Sequence, residues 1–326
     1  MRLVPSYSQI MRNAPPVPEN RVCGRTSARP DGKGETRKGE TYMDLIAIIK
    51  AILLGLVEGL TEYLPVSSTG HLILVDDMWL KSDEFLGKYP ANTFKVVIQL
   101  GSVLAGIFVF RDRFLELLGL RRGEAGKGPH GADPSGREGG RLRLSVVLAG
   151  LAPAGVLGLL FDDYIDEHLF SSATVVFGLV TGAALMILAD WFRPRQPTVT
   201  SVDQITLRQA LIVGAFQCLS LWPGFSRSGS TISGGILLGM THRAAADFTF
   251  IMAVPIMAGA SAVSLVKNLS YFTPEFLPFF IAGFISAFVF ALLTIRAFLR
   301  LVNRVKLVPF AVYRIALALL IYFVYL

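Results

Sequence analysis

Cysteine is nearly missing from this chain. Its 326 residues hold two, Cys23 and Cys218, far apart in sequence. That excludes a disulfide framework and any CxxC metal site. Charge is scarce as well, at 17% of residues. The net charge of +7 gathers in the first 42 residues and in loops. It follows membrane topology and does not point to nucleic acid. The first residues also lack an apolar core segment, which excludes an ordinary signal peptide. What is abundant is apolar surface. Hydrophobic residues make up 52% of the chain, and several runs approach the ~20 residues a bilayer-spanning helix needs. A soluble protein of this length would not carry so many. The expectation is an all-α polytopic membrane protein with one membrane domain.

Residues 1–42 differ from the rest. They are rich in Pro, Gly, Arg, Ser and Asn, show no apolar periodicity and cannot bury a core. They read as a disordered extension, and Met43 as a natural start. From there the apolar segments fall at about 44–64, 71–80, 93–110, 144–161, 172–192, 207–240, 244–266, 275–298 and 307–326. A Gly-rich, charged loop fills 111–143, and a polar loop fills 193–206. Two of the segments are broken, one at Pro65 and one at Pro223. Each is followed by three spans, giving repeat 1 at about 43–192 and repeat 2 at about 207–326. About six transmembrane helices and two broken re-entrant segments result. Three spans between two re-entrant segments invert the second half relative to the first. An inverted repeat puts its site where the broken segments meet, near the midplane.

The loop charges orient this plan. One side would carry Asp76, Asp77, Asp83, Glu84, Asp162, Asp163, Asp166 and Glu167 against Lys81, Lys88 and Lys267. The other would hold 111–143, 193–206 and 299–306, whose charges are mostly arginine. The positive-inside bias puts that second set in the cytoplasm. Met43 and Leu326 then lie outside, and the basic extension falls on the wrong side for the same rule.

The two broken segments align without a gap. In Val57–His71, Leu60 meets Leu219, Thr61 meets Ser220, Tyr63 meets Trp222, Ser67 meets Ser226, Thr69 meets Ser228 and Gly70 meets Gly229. The copies divide the charges: Glu58 and Glu62 in the first, Arg227 in the second. Chance alignment of short Ser/Gly turns is the competing account. Glu58 and Glu62, four apart, share one helix face. Two intramembrane carboxylates so close repel unless a cation or proton joins them. They suit a divalent cation, which takes oxygen ligands, or one serves as a general base. A polar face toward a water cavity is the bland alternative. Ser67, Ser68 and Thr69 offer a nucleophile, or simply a turn satisfied by hydroxyls. His71 offers a base or a nucleophile toward phosphorus. Arg227, between two serines just before a helix expected from about Ser230, points to phosphate. Its alternative is a structural ion pair with Glu58 or Glu62. Gln99 and Gln217 read as supporting groups. The pairs Gly55/Gly59 and Gly178/Gly182 read as helix packing.

Glu58-Gly59-Leu60-Thr61-Glu62-Tyr63-Leu64-Pro65-Val66-Ser67-Ser68-Thr69-Gly70-His71 and Pro223-Gly224-Phe225-Ser226-Arg227-Ser228-Gly229 resemble the two signature motifs of the undecaprenyl-diphosphatase family of the bacitracin-resistance type. The likeness runs from about Met43 to Leu326, with further matches at Val97–Gly101 and Ala253–Pro255. It implies removal of the terminal phosphate from undecaprenyl diphosphate, yielding the monophosphate carrier for cell-wall synthesis. It also implies a divalent cation, Mg or Ca, and a multi-pass protein of the bacterial cytoplasmic membrane whose site opens to the outer face. Carried over, Arg227 binds the diphosphate, Glu58 and Glu62 position cation or water, and Ser68 or His71 is nucleophile or base. Ser67, Thr69, Ser226, Ser228 and Gly229 line the substrate. The expected partners are a polyprenyl diphosphate and the membrane, with no nucleic acid; self-association is left open. The rival class is a transporter or flippase of a phosphorylated lipid, since broken inverted repeats are also a transporter plan. A pure binding protein is a weaker third.

Overall fold

A computed structural model describes residues 35–120, 141–169 and 171–325. The expected extension is therefore described only from residue 35, and most of the Gly-rich loop lies outside the described residues. Helix α1, Glu35–Thr61, begins before Met43 and stops one turn before Pro65. A turn over 62–67 leads into α2, Ser68–Leu72, which continues as a π-helical segment, Ile73–Leu80. The short α3, Ser82–Leu86, precedes α4, Lys88–Val109. Helix α5, Arg111–Leu117, occupies the start of a stretch read as loop. The next two spans are α6, Leu144–His168, and α7, Ser172–Phe192. Residues 162–168, expected as loop, extend α6. The second half runs through α8, Leu207–Cys218, and α9, Arg227–Leu237. It ends with α10, His242–Lys267, α11, Leu277–Val305, and α12, Val308–Tyr325. Among the described residues there is no strand.

Five of these helices, within α4, α6, α7, α10 and α11, are long and apolar enough to cross a bilayer. The sixth expected span, α12, is shorter at 18 residues. Exposed Leu159, Trp191 and Phe323 stud the outside, as lipid contact requires. The aromatic heart lies inside. Tyr63, Phe110 and Phe298 each set a ring against Phe250 on α10.

Small residues let the broken segments pack close to their partner helices. A methyl group at Gly55 on α1 would overlap the Gly283 carbonyl of α11, and one at Gly59 the Ala287 carbonyl. Ser286 Oγ donates to the Ile52 carbonyl across the same seam at 2.7 Å. The second half repeats the device: a methyl at Gly214 on α8 would overlap the Gly150 carbonyl of α6. Gly55 and Gly214 stand in the register already set by Ser67 and Ser226. That extends the duplication toward the start of each broken segment and argues against chance alignment. Gly178 and Gly182 behave differently. They admit the Pro223–Phe225 backbone and the Arg314 side chain against α7. Their role is seating a turn rather than pairing two helices.

Candidate active site

The two turns share one uncommon geometry. Ser67 has φ 71° and ψ 99°, and Ser226 has φ 72° and ψ 117°. Positive φ is uncommon outside glycine. Both serines are N-caps. Ser67 Oγ accepts from Gly70 N at 3.4 Å and Ser226 Oγ from Gly229 N at 3.2 Å. Each cap turns the chain sharply and points the head of a short helix inward. The helix at the second turn starts at Arg227, three residues ahead of the expected Ser230. Each turn is also pinned by an aromatic at matching positions. Tyr63 Oη donates to the Ser102 carbonyl of α4 at 3.0 Å, and Trp222 Nε1 to the Thr174 carbonyl of α7 at 2.8 Å.

The turns meet. Ser228 Oγ donates to the Leu64 carbonyl at 2.9 Å, joining the second turn to the first. Arg227 Nη2 contacts Glu62 Oε1 at 2.9 Å. The other oxygen, Glu62 Oε2, accepts from Ser68 Oγ at 2.7 Å. One carboxylate thus joins the nucleophile candidate of the first motif to the cation of the second. The ion pair weighed for Arg227 does form, but it occupies only part of the guanidinium. Nη2 also touches Met257 Sδ at 3.2 Å, while Nη1 is buried and without a partner among the described residues. Glu58, one turn before Glu62, is 2% exposed, and its Oε1 is likewise unpartnered. Gln217 stands opposite Glu58 in the duplicated register, and both polar atoms of its amide are buried and unpartnered. Unpaired buried polar atoms are costly. Here four of them, on Arg227, Glu58 and Gln217, belong to the two facing motifs.

His71 is placed otherwise. Its Nδ1 lies 2.8 Å from the Ser67 carbonyl and its Nε2 2.7 Å from Tyr313 Oη. The carbonyl only accepts, so Nδ1 carries the proton and Nε2 accepts from Tyr313. Both nitrogens are engaged, and the ring stacks on Tyr313. Ser67 and Ser228 spend their hydroxyls on the turns. Thr69 is half-buried. Gln99 Oε1 accepts from Ser261 Oγ at 3.3 Å, linking α4 to α10 one turn beyond Met257. The sequence reading passed over Met257, Tyr313 and Arg314. Arg314 is the one charge in the apolar run of α12. An intramembrane ionisable residue is a functional candidate by default, and that signal was there to be used.

As for a cation, Glu58 Oε1 is a buried carboxylate oxygen without a partner among the described residues, whereas both oxygens of Glu62 are taken. Among the described residues no cluster of three His, Cys, Asp or Glu exists that would hold a metal ion by itself. The residues fit a divalent cation only if ligand oxygens complete its shell.

All of these site residues fall inside residues 51–320, the span that matches the family described as bacitracin resistance protein BacA. The chain belongs to that family. A protein called undecaprenyl-diphosphatase from Geobacillus sp. (strain WCH70) is 70% identical over 283 residues, which is 87% of this chain and 100% of the relative. One of the same name from Anoxybacillus flavithermus is also 70% identical, covering 87% of this chain and 99% of the relative. The Bacillus subtilis (strain 168) protein of that name is 56% identical over 279 residues, 86% of this chain and 98% of its own length. This BacA-family chain is thus an all-α, multi-pass membrane protein, and its paired motifs occupy the family's matched span.

Proposed function

We propose that this chain hydrolyses undecaprenyl diphosphate to undecaprenyl phosphate and inorganic phosphate. In the cell this recycles the lipid carrier of cell-wall synthesis and confers bacitracin resistance. The observation that carries the reading is the Ser68–Glu62–Arg227 chain of contacts, with Arg227 Nη1 left open for an anion. A guanidinium binds phosphate through parallel N–H donors. The head of α9 adds backbone donors and the positive end of its dipole. Hydrolysis of a phosphoanhydride depends mostly on positioning and on neutralising charge, and this arrangement does both.

Ser68 is the better-placed nucleophile. Its hydroxyl already donates to a carboxylate, whereas both ring nitrogens of His71 are engaged elsewhere. Ser68 Oγ attacks the terminal phosphorus, the Oγ–P bond forms and the bridging P–O bond breaks. The serine proton passes to Glu62 Oε2 and leaves with undecaprenyl phosphate. Water then attacks the phosphoserine. Its proton goes to Glu62 and on to Ser68 Oγ as the Oγ–P bond breaks and phosphate departs. His71 orients the first turn through Ser67. Glu58 and the diphosphate oxygens would hold a divalent cation, Mg or Ca, which supplies charge neutralisation on the phosphoryl oxygens when bound.

The acidic and basic loops support an orientation. The 111–143 and 193–206 loops lie in the cytoplasm, and the site opens to the outer face of the bacterial cytoplasmic membrane. The deciding assay is phosphate release from undecaprenyl diphosphate by the purified, detergent-solubilised chain. Release that needs Arg227 and Ser68 supports the reading. No release, with lipid diphosphate crossing reconstituted bilayers instead, would replace it with the flippase.

A further inference from the structure

The guanidinium of Arg314 is fully buried and outside the Ser68–Glu62–Arg227 contacts of the site. Its Nη2 reaches three backbone carbonyls: Phe225 at 2.7 Å, Gly224 at 2.9 Å and Gly178 at 3.1 Å. Its Nη1 lies 3.4 Å from Met186 Sδ. Among the described residues no carboxylate pairs with it. A buried cation usually has a counter-charge or a reason to do without one. Here the partners are carbonyls of the turn that delivers Arg227, and of α7 behind it.

That turn needs holding. Gly224 has φ 86° and Ser226 has φ 72°, so two positive-φ positions flank Phe225. The serine stores strain there that surrounding structure must offset. Carbonyls freed by such a turn at membrane depth find no water. Arg314 satisfies two of them together and ties both to the Gly178 carbonyl. Space is reserved for it. A methyl group at Gly182 on α7 would strike the Arg314 guanidinium, and one at Gly229 in the first turn of α9 would crowd Nη1. The guanidinium therefore lies directly behind the helix head that faces the substrate. Its neighbour Tyr313 holds His71, so consecutive residues of α12 brace one motif each.

We infer that Arg314 is a positioning residue for the second motif. It fixes the 224–226 backbone so that Arg227 and the α9 head are aimed at the phosphate, and it adds positive potential behind them. The inference deepens the hydrolase reading and rests on it for its catalytic consequence. The geometric core, a turn held by Arg314, does not depend on that reading.

The test uses the full chain in detergent, as Arg314→Met and Arg314→Lys, with Trp79 and Trp191 replaced by Phe so that Trp222 reports on the turn. With undecaprenyl diphosphate, kcat should fall at least 30-fold in Arg314→Met while KM moves less than threefold. Arg314→Lys should recover part of the lost kcat. Trp222 emission should shift in both. Should the Met variant fail to fold, the Lys variant carries the test alone. Wild-type Trp222 emission overturns the proposal, whatever happens to turnover. So does a lowered Tm with unchanged kcat per folded molecule, which would mark Arg314 as merely structural. A parent protein that releases no phosphate would remove the hydrolase reading, and the Trp222 signal would still decide the role of Arg314.

Discussion

Arg227 holds Glu62 with one nitrogen and leaves the other, Nη1, without a partner among the described residues. That split explains why lysine should not replace it. Lysine keeps the charge but loses the planar fork that grips carboxylate and phosphate together. Arg227→Lys should lower kcat by ~100-fold or more, the size typical of a lost transition-state donor, measured as phosphate release. Glu62→Gln should be similarly damaging, because the amide neither balances Arg227 nor accepts the Ser68 proton. The nucleophile can be trapped. Rapid acid quench should yield an acid-stable phosphoenzyme that Ser68→Ala abolishes and His71→Ala keeps at reduced rate. An acid-labile adduct lost in His71→Ala would transfer the role to the imidazole. Glu58 is tested by metal: chelation should abolish release, and Glu58→Gln should raise the Mg or Ca concentration needed to restore it. The acids and the arginine were legible in sequence because intramembrane charges are rare and these sat in duplicated motifs. Which carboxylate meets the arginine was not legible, since Glu58 and Glu62 share a face. The choice is made by the turn, which brings Ser228 onto the Leu64 carbonyl and so sets Arg227 beside Glu62. Arg314 was legible only as an isolated charge in an apolar helix; its role was not, because it lies in carbonyls 89 and 90 residues away.

At the scale of elements, the two broken segments are the same device used twice. Gly55 meets the Gly283 carbonyl and Gly214 meets the Gly150 carbonyl, and Ser67 and Ser226 cap α2 and α9 at nearly the same φ. Proline, glycine and hydroxyl placement announced the breaks, because no other residues end a helix and satisfy its freed backbone so compactly. Boundaries were harder. Pro65 bars the helix from continuing, but α1 already ends at Thr61; a proline marks where a helix cannot be, not where its last bond closes. The segment Ile73–Leu80 was legible as an apolar run, but nothing in the sequence marked its π-helical winding. Short α3 and α5 were read as loop because five- and seven-residue helices are too brief to show periodicity. The packing reading of the glycines has a direct check. Gly59→Leu would push α1 off α11, and overpacking of this kind costs ~1–3 kcal/mol or more. A clear fall in Tm and in detergent-soluble yield should follow. Gly155→Leu, at a position where an added Cβ has no heavy atom within 4 Å, should leave both unchanged. Equal Tm values for the two would mean that the α1–α11 seam is loose.

For the whole molecule, the question is which way it sits in the membrane, and the orientation proposed above rests on the loop charges. Basic residues cluster in 111–143, 193–206 and 299–306, whereas Asp76, Asp77, Asp83 and Glu84 gather beside α3. The bias toward cytoplasmic arginine and lysine acts through loops shorter than ~60 residues, which covers all of these. The same plan requires both broken segments to reach one shared site from opposite sides. Direct contacts of Glu62 with Arg227 and of Leu64 with Ser228 bring the two segments to one site. The architecture was legible from the alternation of apolar runs and loops, since bilayer thickness constrains helix length so strongly. The orientation can be read by labelling. With Cys23 and Cys218 changed to Ser, single cysteines are placed at the exposed Glu84 of α3, at Gly131 and at Thr198 in intact cells. A membrane-impermeant maleimide should label Glu84→Cys from outside. Gly131→Cys and Thr198→Cys should react only after the membrane is opened. The reverse pattern would invert the protein and turn the acidic α3 side toward the cytoplasm. A site opening beside α3 would then meet its lipid diphosphate in the inner leaflet, and the carrier would be recycled from the opposite face to the one proposed.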